Sequence, residues 1–440
     1  MKKSVKFLLG MVLVASLFVV ASCGKKEGAD KKEDGKITIR LLTRMTGTSP
    51  QVLVYKETLD QFAKDYPEVE IVDDSQGDEG AFNNILKTSR ASNDLPNIYR
   101  VQGVANLGEY IDNNLIMNMD DAFKEDKEWG DGFVEGALSY YNVPGYEGTY
   151  GIPIESGLIG IYYNKELFEK AGIPKFPETW NEFEDAIAKL NKIDVTPIAL
   201  GAKANYTAGH LHNLIFYRML GTQKAKDLGD RKAKWTDKDV VETLDVVKQL
   251  TDMKAFDENA VGIDDQIALT SFFNGESAMV ITGPWNIPHF YNEEKTKLGD
   301  TIDFAKFPYF EGKEEFKDED MQVISPLQIR GDLEGREKEL TLELAKRLSN
   351  AEIAKKYADE ANQIFPRTDY EVDPEKATKL FLKNSDLAKT STGIAVDVFD
   401  YDPVQSMQDV TRNALVGILQ GGSPEEAAET IQREIDNNAK

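Results

Sequence analysis

The sequence predicts an α/β fold in which parallel strands alternate with helices. Runs rich in β-branched and apolar residues, such as KITIRLL at 36–42 and NIYRV at 97–101, alternate with stretches whose apolar residues repeat at helical spacing. The same alternation returns between Tyr150 and Ile287. Strands that alternate with helices form βαβ units and a parallel sheet, and a chain of 440 residues usually divides into two domains.

The N-terminus predicts an exported protein. Lysines at positions 2, 3 and 6 precede an uncharged run at 7–20, which is followed by small residues at 21 and 22. This order is typical of a secretory signal peptide, which we expect to span residues 1–22. The run is shorter than the roughly 20 apolar residues that a membrane-spanning helix requires.

Cys23 is the only cysteine of the chain and lies directly after the predicted signal peptide. Residues 20–23 resemble a bacterial lipobox, which predicts that Cys23 is lipidated and that its acyl chains anchor the protein to a membrane surface. An ordinary secreted protein with a chance cysteine is the alternative, and neither case allows an intrachain disulfide. Because Gly, Ala, Lys, Glu and Asp alone follow Cys23 as far as residue 35, we expect 23–35 to be the lipidated cysteine and a flexible tether.

Composition and motifs restrict the function. A formal net charge of -24 argues against nucleic acid as a partner, because phosphate binding depends on Lys and Arg. His210 and His212 are two residues apart and do not share a helical face, so we expect no metal site and no cofactor. The motifs of P-loops, zinc proteases and serine hydrolases are absent from the sequence. A secreted glycosidase, which needs only two carboxylates, remains the enzyme alternative.

The first α/β segment predicts a pocket. Strands at 37–42, 69–72 and 97–101 are separated by a helix that ends before Pro67 and by another that begins near Phe82. Ligands bind beyond the carboxyl ends of parallel strands, so we expect side chains of the following loops to line a site. These candidates are Arg44, Thr46, Gln76, Gln102 and Asn106.

The second α/β segment begins near Tyr150. Strands are predicted at 158–164, 196–201 and 277–282, and a short helix at 165–171. Thr179, with Glu182 three residues later, predicts a capping box at the start of a longer helix. Gly283 and Pro284 break the last strand and present Trp285.

Five segments, in this order and behind a lipobox, resemble the family 1 extracellular solute-binding proteins. The segments are YGIPIES, YYNKELFEKAGI, PETWNEFEDAIAKL, FFNGESAMVITGPW and IFPRTDY. The family comprises lipoprotein receptors of ABC sugar importers. The resemblance implies a two-lobe periplasmic-binding-protein-like fold of type II, similar to maltose-binding protein, with a ligand cleft between the lobes.

The resemblance also implies lobes built from discontinuous segments. By this analogy the N-terminal lobe comprises 36–153 plus 306–349, and the C-terminal lobe comprises 154–305 plus 350–440. The crossovers near 152–155, 303–307 and 348–351 would be hinges, each absorbing a few dihedral changes on closure.

Several residues are implied as ligand contacts. Trp285 and Tyr206 would provide aromatic surfaces for a sugar ring, Glu155 would provide a carboxylate, and the late segment VFDYDPV suggests Tyr401. Arg367 could donate paired hydrogen bonds to the ligand or only hold a loop in place. Arg44 and Arg100 raise the alternative of an acidic or phosphorylated ligand.

The sequence therefore predicts a binding protein and no catalytic residues. We expect an extracytoplasmic, lipid-anchored monomer that captures a mono- or oligosaccharide and delivers it to the permease subunits of an ABC importer. A sensor or adhesin ectodomain with the same fold is the further alternative. The sequence does not identify the sugar.

Overall fold

The computed structural model describes residues 35–438 apart from 105, 106, 144 and 405. The predicted signal peptide, Cys23, the tether up to residue 34 and the pocket candidate Asn106 lie outside the described residues. Within the described ranges, no helix combines the length and the apolar character needed to cross a bilayer.

The prediction of an α/β fold is confirmed. In chain order the strands are β1 (Ile37–Leu42), β2 (Val69–Asp73), β3 (Ile98–Tyr99), β4 (Ile152–Leu158), β5 (Gly160–Asn164), β6 (Thr196–Ala199), β7 (Ser277–Thr282), β8 (Ile302–Ala305), β9 (Glu319–Ile329) and β10 (Gly393–Ala395). The helices are α1 (Pro50–Asp65), α2 (Glu79–Ala91), α3 (Leu107–Asp112), α4 (Asp120–Glu125), α5 (Lys127–Asp131), α6 (Glu135–Ser139), α7 (Lys165–Lys170), α8 (Trp180–Asn191), α9 (Tyr206–Gly229), α10 (Lys238–Asp252), α11 (Asp265–Phe273), α12 (Ile287–Phe290), α13 (Gly335–Arg347), α14 (Ala351–Ala361), α15 (Lys379–Ala388), α16 (Met407–Leu419) and α17 (Pro424–Asn438).

The strands form two sheets. The first sheet has the order β10-β9-β3-β1-β2, with β4 also paired to β9, and the second has the order β6-β7-β5-β8. We call the first sheet with the helices packed on it the first lobe, and the second sheet with its helices the second lobe. The predicted strands at 37–42, 69–72 and 277–282 match β1, β2 and β7.

Both sheets are mixed, whereas the sequence predicted parallel pairing. The β1–β2, β1–β3 and β6–β7 pairs are parallel as expected. However, β3 and β4 pair antiparallel with β9, and β5 pairs antiparallel with both β7 and β8. The difference arises because β9 and β8 return from distant parts of the chain, so no local βαβ connection determines their direction.

The pairing of β4 with β9 connects the two sheets. Ile152 pairs with Leu327 near one end and Leu158 with Gln322 at the other, with a register shift between Pro153 and Glu155. Only Ile159 separates β4 from β5 of the second sheet. A continuous stretch of strand therefore runs from one lobe into the other, and the predicted hinge at 152–155 lies within it.

The core of the first lobe includes a segment that the sequence assigned elsewhere. Ile353, Tyr357 and Phe365 are buried in one apolar cluster with residues of β1 and α1. By sequence, 350–440 is assigned to the second lobe, whereas the apolar face of α14 packs on α1 and makes this helix part of the first lobe. Conversely, Phe307 lies in the core of the second lobe, although 306–349 was assigned to the first.

The helix α8 begins as the sequence predicted. Thr179 accepts a hydrogen bond from the backbone of Glu182, and the Glu182 carboxylate accepts one from the Thr179 backbone, which completes the capping box. The buried face of α8 contains Trp180, Phe183 and Ile187. The cap therefore fixes the start of a helix that contributes to the second lobe's core.

We expect Thr179→Ala to lower the free energy of unfolding by about 1 kcal/mol, because the first turn loses a hydrogen-bond acceptor. Thr179→Ser keeps the hydroxyl and should retain most of the stability. Urea denaturation of the purified variants measures both values. Equal losses in the two variants would instead assign the effect to the threonine methyl group.

Candidate functional site

A cleft of about 1400 Å³ is lined by residues of both lobes. The first lobe contributes the loops after β1, β2 and β3, and the second lobe contributes the first turns of α9, α11 and α16. Residues of β4 and β9 form its floor. The loops at the carboxyl ends of the parallel strands thus lie where the sequence analysis placed a site.

Hydrogen bonds hold the loop after β1 against the loop after β2. Thr43 and Ser75 join through their hydroxyls at 2.8 Å, and Arg44 Nη2 donates to the carbonyl of Gly77 at 2.8 Å. Arg44 and Thr46 line the cleft, whereas Gln76 does not. For the residues at the cleft, contact with a ligand stays a prediction.

A polar cluster forms the floor where β4 and β9 meet. Arg100 Nη2 donates to Gln102 Oε1 at 3.0 Å and to Ser325 Oγ at 2.9 Å, and Ser325 in turn donates to Glu155 Oε2 at 3.0 Å. Burial raises the pKa of Glu155, and the nearby Arg100 opposes this shift. The predicted residues Gln102 and Glu155 both line the cleft and belong to this cluster.

Three rings form an aromatic wall on the second lobe. The ring centroids of Tyr206 and His210 lie 5.2 Å apart in an edge-on arrangement, and those of His210 and Trp285 lie 6.0 Å apart. The half-buried Trp285 folds back over Gly283, where a Cβ would lie 2.0 Å from the indole ring. Glycine at 283 is therefore needed for this position of the tryptophan. We refer to Tyr206, His210 and Trp285 as the aromatic wall.

The aromatic wall is uncharged. Burial lowers the pKa of His210 to about 4, so its imidazole is neutral at physiological pH. The Tyr206 hydroxyl donates to Asp265 Oδ2 at 2.6 Å, and burial together with this carboxylate raises the pKa of Tyr206 well above its ordinary value. The Tyr206 hydroxyl already uses its proton in the hydrogen bond to Asp265, so towards a ligand its oxygen can only accept a hydrogen bond.

An acidic pair and an arginine lie beside the aromatic wall. Asp397 accepts a hydrogen bond from Asn213 and lies 3.6 Å from Arg412 Nη2. Asp400 Oδ2 accepts a hydrogen bond from the Tyr140 hydroxyl at 2.8 Å. Burial and the neighbouring Asp397 raise the pKa of Asp400 to about 8. The sequence analysis did not select these residues.

Two predicted contact residues do not line the cleft. Arg367 is a loop clamp, because its guanidinium donates to Asp369 and to the backbone carbonyls of Glu128, Trp129 and Ser349. Tyr401 packs against the second lobe's core, whereas Asp400 of the same segment and Asp397 just before it line the cleft. The segment VFDYDPV therefore reaches the cleft through Asp400 and not through the predicted Tyr401.

The charges around the cleft nearly balance. Eight carboxylates line it, namely Asp78, Glu79, Glu155, Asp264, Asp265, Asp397, Asp400 and Asp409. Seven cationic side chains do so, namely Arg44, Lys87, Arg90, Arg100, Lys203, Lys295 and Arg412. Among the described residues, no group of three or more His, Cys, Asp or Glu side chains could hold a metal ion.

Comparison with known proteins identifies relatives of this fold. A family model described as bacterial extracellular solute-binding protein matches residues 47–331. The multiple sugar-binding protein of Streptococcus mutans serotype c is 26% identical over 289 residues, and the match covers 64% of this chain and 64% of that relative's length.

Solved structures resemble nearly the whole chain. A chitin oligosaccharide binding protein has a TM-score of 0.83 at 22% identity, covering 92% of this chain and 100% of that one. The maltose-bound MalE3 of T. maritima has a TM-score of 0.74 at 19% identity, covering 91% and 99% respectively. At these identities the likeness shows the two-lobe fold alone.

We expect Asp400→Asn to stabilise the protein increasingly as the pH rises from about 5 to 8. Because burial raises the folded-state pKa of Asp400, the stability that its proton contributes is complete at low pH and is lost as the pH rises. Asparagine still accepts from Tyr140 but cannot ionise. Each pKa unit corresponds to about 1.4 kcal/mol, so urea unfolding at several pH values should resolve the trend.

The matched control for this prediction is Asp121→Asn, since the Asp121 side chain is 95% exposed. Its effect should not change over the same pH range. A difference in unfolding free energy between wild type and Asp400→Asn that is constant from pH 5 to 8 would show that the folded-state pKa of Asp400 is not raised.

Proposed function

The chain belongs to the family of bacterial extracellular solute-binding proteins, and on this premise we propose that it captures a mono- or oligosaccharide between its two lobes. Members of this family are extracytoplasmic binding proteins and not enzymes. Family membership does not identify the solute, so the class of ligand has to be inferred from the residues that line the cleft.

The aromatic wall opposite polar groups is the observation that carries this proposal. A sugar ring presents C–H groups on its faces and hydroxyls around its rim. The faces suit the rings of Trp285 and His210, which are neutral and partly or largely buried. The rim suits the amides, carboxylates and guanidinium groups of the floor and of the first lobe.

The relatives support a carbohydrate ligand. The Streptococcus mutans relative is named a multiple sugar-binding protein, and the two solved structures are named for chitin oligosaccharide and for maltose. The cleft volume of about 1400 Å³ is sufficient for more than one sugar ring.

Closure of the lobes would signal the bound state. A ligand that touches both the aromatic wall and the loops of the first lobe favours the closed arrangement over an open one. The irregular register between Pro153 and Glu155 in the β4–β9 pairing is where a few dihedral changes would rotate one lobe against the other. The closed form would then dock on the permease subunits of an ABC importer, and a lipid on Cys23 would keep the protein near that transporter.

We expect the purified protein to be stabilised by one or more neutral sugars in a panel of glucose, galactose, maltose, maltotriose, xylotriose and chitotriose. A ligand at about a hundred times its dissociation constant adds roughly 2.7 kcal/mol to the free energy of unfolding. Thermal unfolding detects this shift, and calorimetry on each hit gives the affinity. Lack of stabilisation by any sugar would contradict the carbohydrate proposal.

Trp285→Ala should weaken the binding of the best ligand by about tenfold to a hundredfold in Kd. This corresponds to a loss of roughly 1.4–2.8 kcal/mol in binding free energy from the aromatic contact. Trp285→Phe retains a ring and should lose less affinity. Calorimetry measures the ligand affinity of both variants. Thermal unfolding without ligand measures their stability, so a loss of affinity can be distinguished from a loss of folding. Equal affinity of wild type and Trp285→Ala for the ligand would show that Trp285 does not contact it, and would contradict a binding role for the aromatic wall.

We expect the chain, expressed in a bacterial host, to incorporate an alkyne-labelled fatty acid and to fractionate with membranes. Cys23→Ala should abolish both properties, whereas the neighbouring Ser22→Ala should preserve them. Detection of the label after fractionation measures the outcome. Unlabelled wild-type protein in the soluble fraction would favour the alternative of an ordinary secreted protein.

A further inference from the structure

We propose that Arg412 determines the specificity of the cleft and selects a neutral sugar ring that presents two adjacent hydroxyl groups. This inference rests on the proposed function and extends it, because it names the chemical class of the ligand and the residue that recognises it.

Arg412 is buried, yet its hydrogen-bonding capacity is not used. The residue is 6% exposed and lines the cleft, and its Nε has no hydrogen-bond partner among the described residues. The nearest carboxylate oxygen, Asp397 Oδ2, lies 3.6 Å from Nη2, which is beyond hydrogen-bond distance. Because Nε is fully buried, a ligand can reach the guanidinium only through its terminal Nη groups, for which the described residues provide no hydrogen-bond acceptor. An occupant of the cleft could supply that acceptor.

The protein holds the guanidinium in a fixed position. Its central carbon lies 5.0 Å from the centroid of the Phe399 ring. Helix α9 approaches its stem at Gly209, where a Cβ would lie 3.4 Å from both Cγ and Nε of Arg412. These are van der Waals distances, so α9 packs closely along the stem of this arginine. The fork of donors is therefore already oriented before a ligand enters.

The planar fork favours two adjacent acceptors. Guanidinium N–H groups point in parallel directions and recognise pairs of oxygen atoms better than single ones. Adjacent hydroxyls of a pyranose provide such a pair. An isolated hydroxyl or an ether oxygen would leave part of the fork without a partner.

The surroundings of Arg412 favour a neutral ligand over an anion. Asp397 lies close enough to offset the arginine charge, and Glu79 is within electrostatic range of it. Asp400 is also near, but its pKa of about 8 leaves it mainly protonated at neutral pH, so it adds a hydrogen-bonding group with little charge. A hydroxyl can accept from the guanidinium and donate to one of these carboxylates at the same time. The carboxylate of a uronate or the dianionic phosphate of a sugar phosphate has no proton to donate, and a neighbouring carboxylate repels it. The near balance of charges around the whole cleft agrees with this selection.

The test compares Arg412→Lys and Arg412→Gln with wild type. Arg412→Lys keeps the charge beside Asp397 but removes the planar fork, and Arg412→Gln removes the charge as well. The probes are the neutral sugars of the panel above together with glucuronic acid, galacturonic acid and glucose 6-phosphate. We expect both variants to bind the best neutral sugar at least tenfold more weakly. The melting temperature of Arg412→Lys without ligand should remain within a few degrees of wild type, because lysine keeps a positive charge beside Asp397. Arg412→Gln leaves that buried carboxylate without its counter-charge and should melt at a lower temperature.

A charge variant tests the selection against anions. Asp397→Asn should narrow the preference of the protein for glucose or galactose over the corresponding uronic acid. The matched control is Arg231→Lys, since Arg231 pairs with Asp402 at 2.6 Å and does not line the cleft. This control should leave affinities unchanged.

The outcomes separate the inference from the proposed function. Binding of a neutral sugar to wild type and to the Arg412 variants with equal affinity overturns the inference alone. A large loss of melting temperature without ligand in both Arg412 variants also overturns it, because it assigns Arg412 a structural role. Binding of uronic acids or glucose 6-phosphate in preference to neutral sugars overturns the selection. Binding of no probe to wild type overturns the carbohydrate proposal and the inference together.

Discussion

The antiparallel pairing of β4 with β9 is the interaction on which the two sheets and the cleft depend. β9 pairs with β3 and β4 of the first sheet and with β10 near α9, while β4 continues into β5 after one residue. If this pairing shifted by one residue, every side chain along it would change faces. Glu155 and Ser325, which face each other across it, would then no longer meet at the cleft floor.

The buried charges in the cleft occur as pairs of opposite sign. Arg100 lies beside Glu155, and Arg412 lies beside Asp397, so neither arginine carries an isolated charge. The histidine of the aromatic wall stays neutral because burial opposes its protonation. The site therefore offers many hydrogen-bonding groups with little net charge, a property suited to a polyhydroxylated ligand and less suited to an anion.

Local signals in the sequence specify the elements but not how the lobes share them. The capping box at Thr179, the strand at 277–282 and the break at Gly283 are each determined by neighbours within a few residues, and all lie where predicted. The membership of α14 in the first lobe depends on an apolar face that packs on α1, far away in sequence. No local pattern distinguishes that contact from packing on the second lobe.

For the cleft, the sequence alone determined which loops lie at the site and two of the three residues of the aromatic wall, Tyr206 and Trp285. Parallel strands place their carboxyl ends at one edge, so Arg44 and Gln102 could be selected from the positions of the strands, whereas Trp285 was implied by the family resemblance. Only the tertiary structure decided between residues of similar chemistry. Arg367 donates to backbone carbonyls and Arg412 lines the cleft, although the residues next to each arginine in the sequence do not distinguish these two roles. The reason is that an arginine's role depends on which acceptors reach its donors, and these acceptors come from segments that only folding brings together.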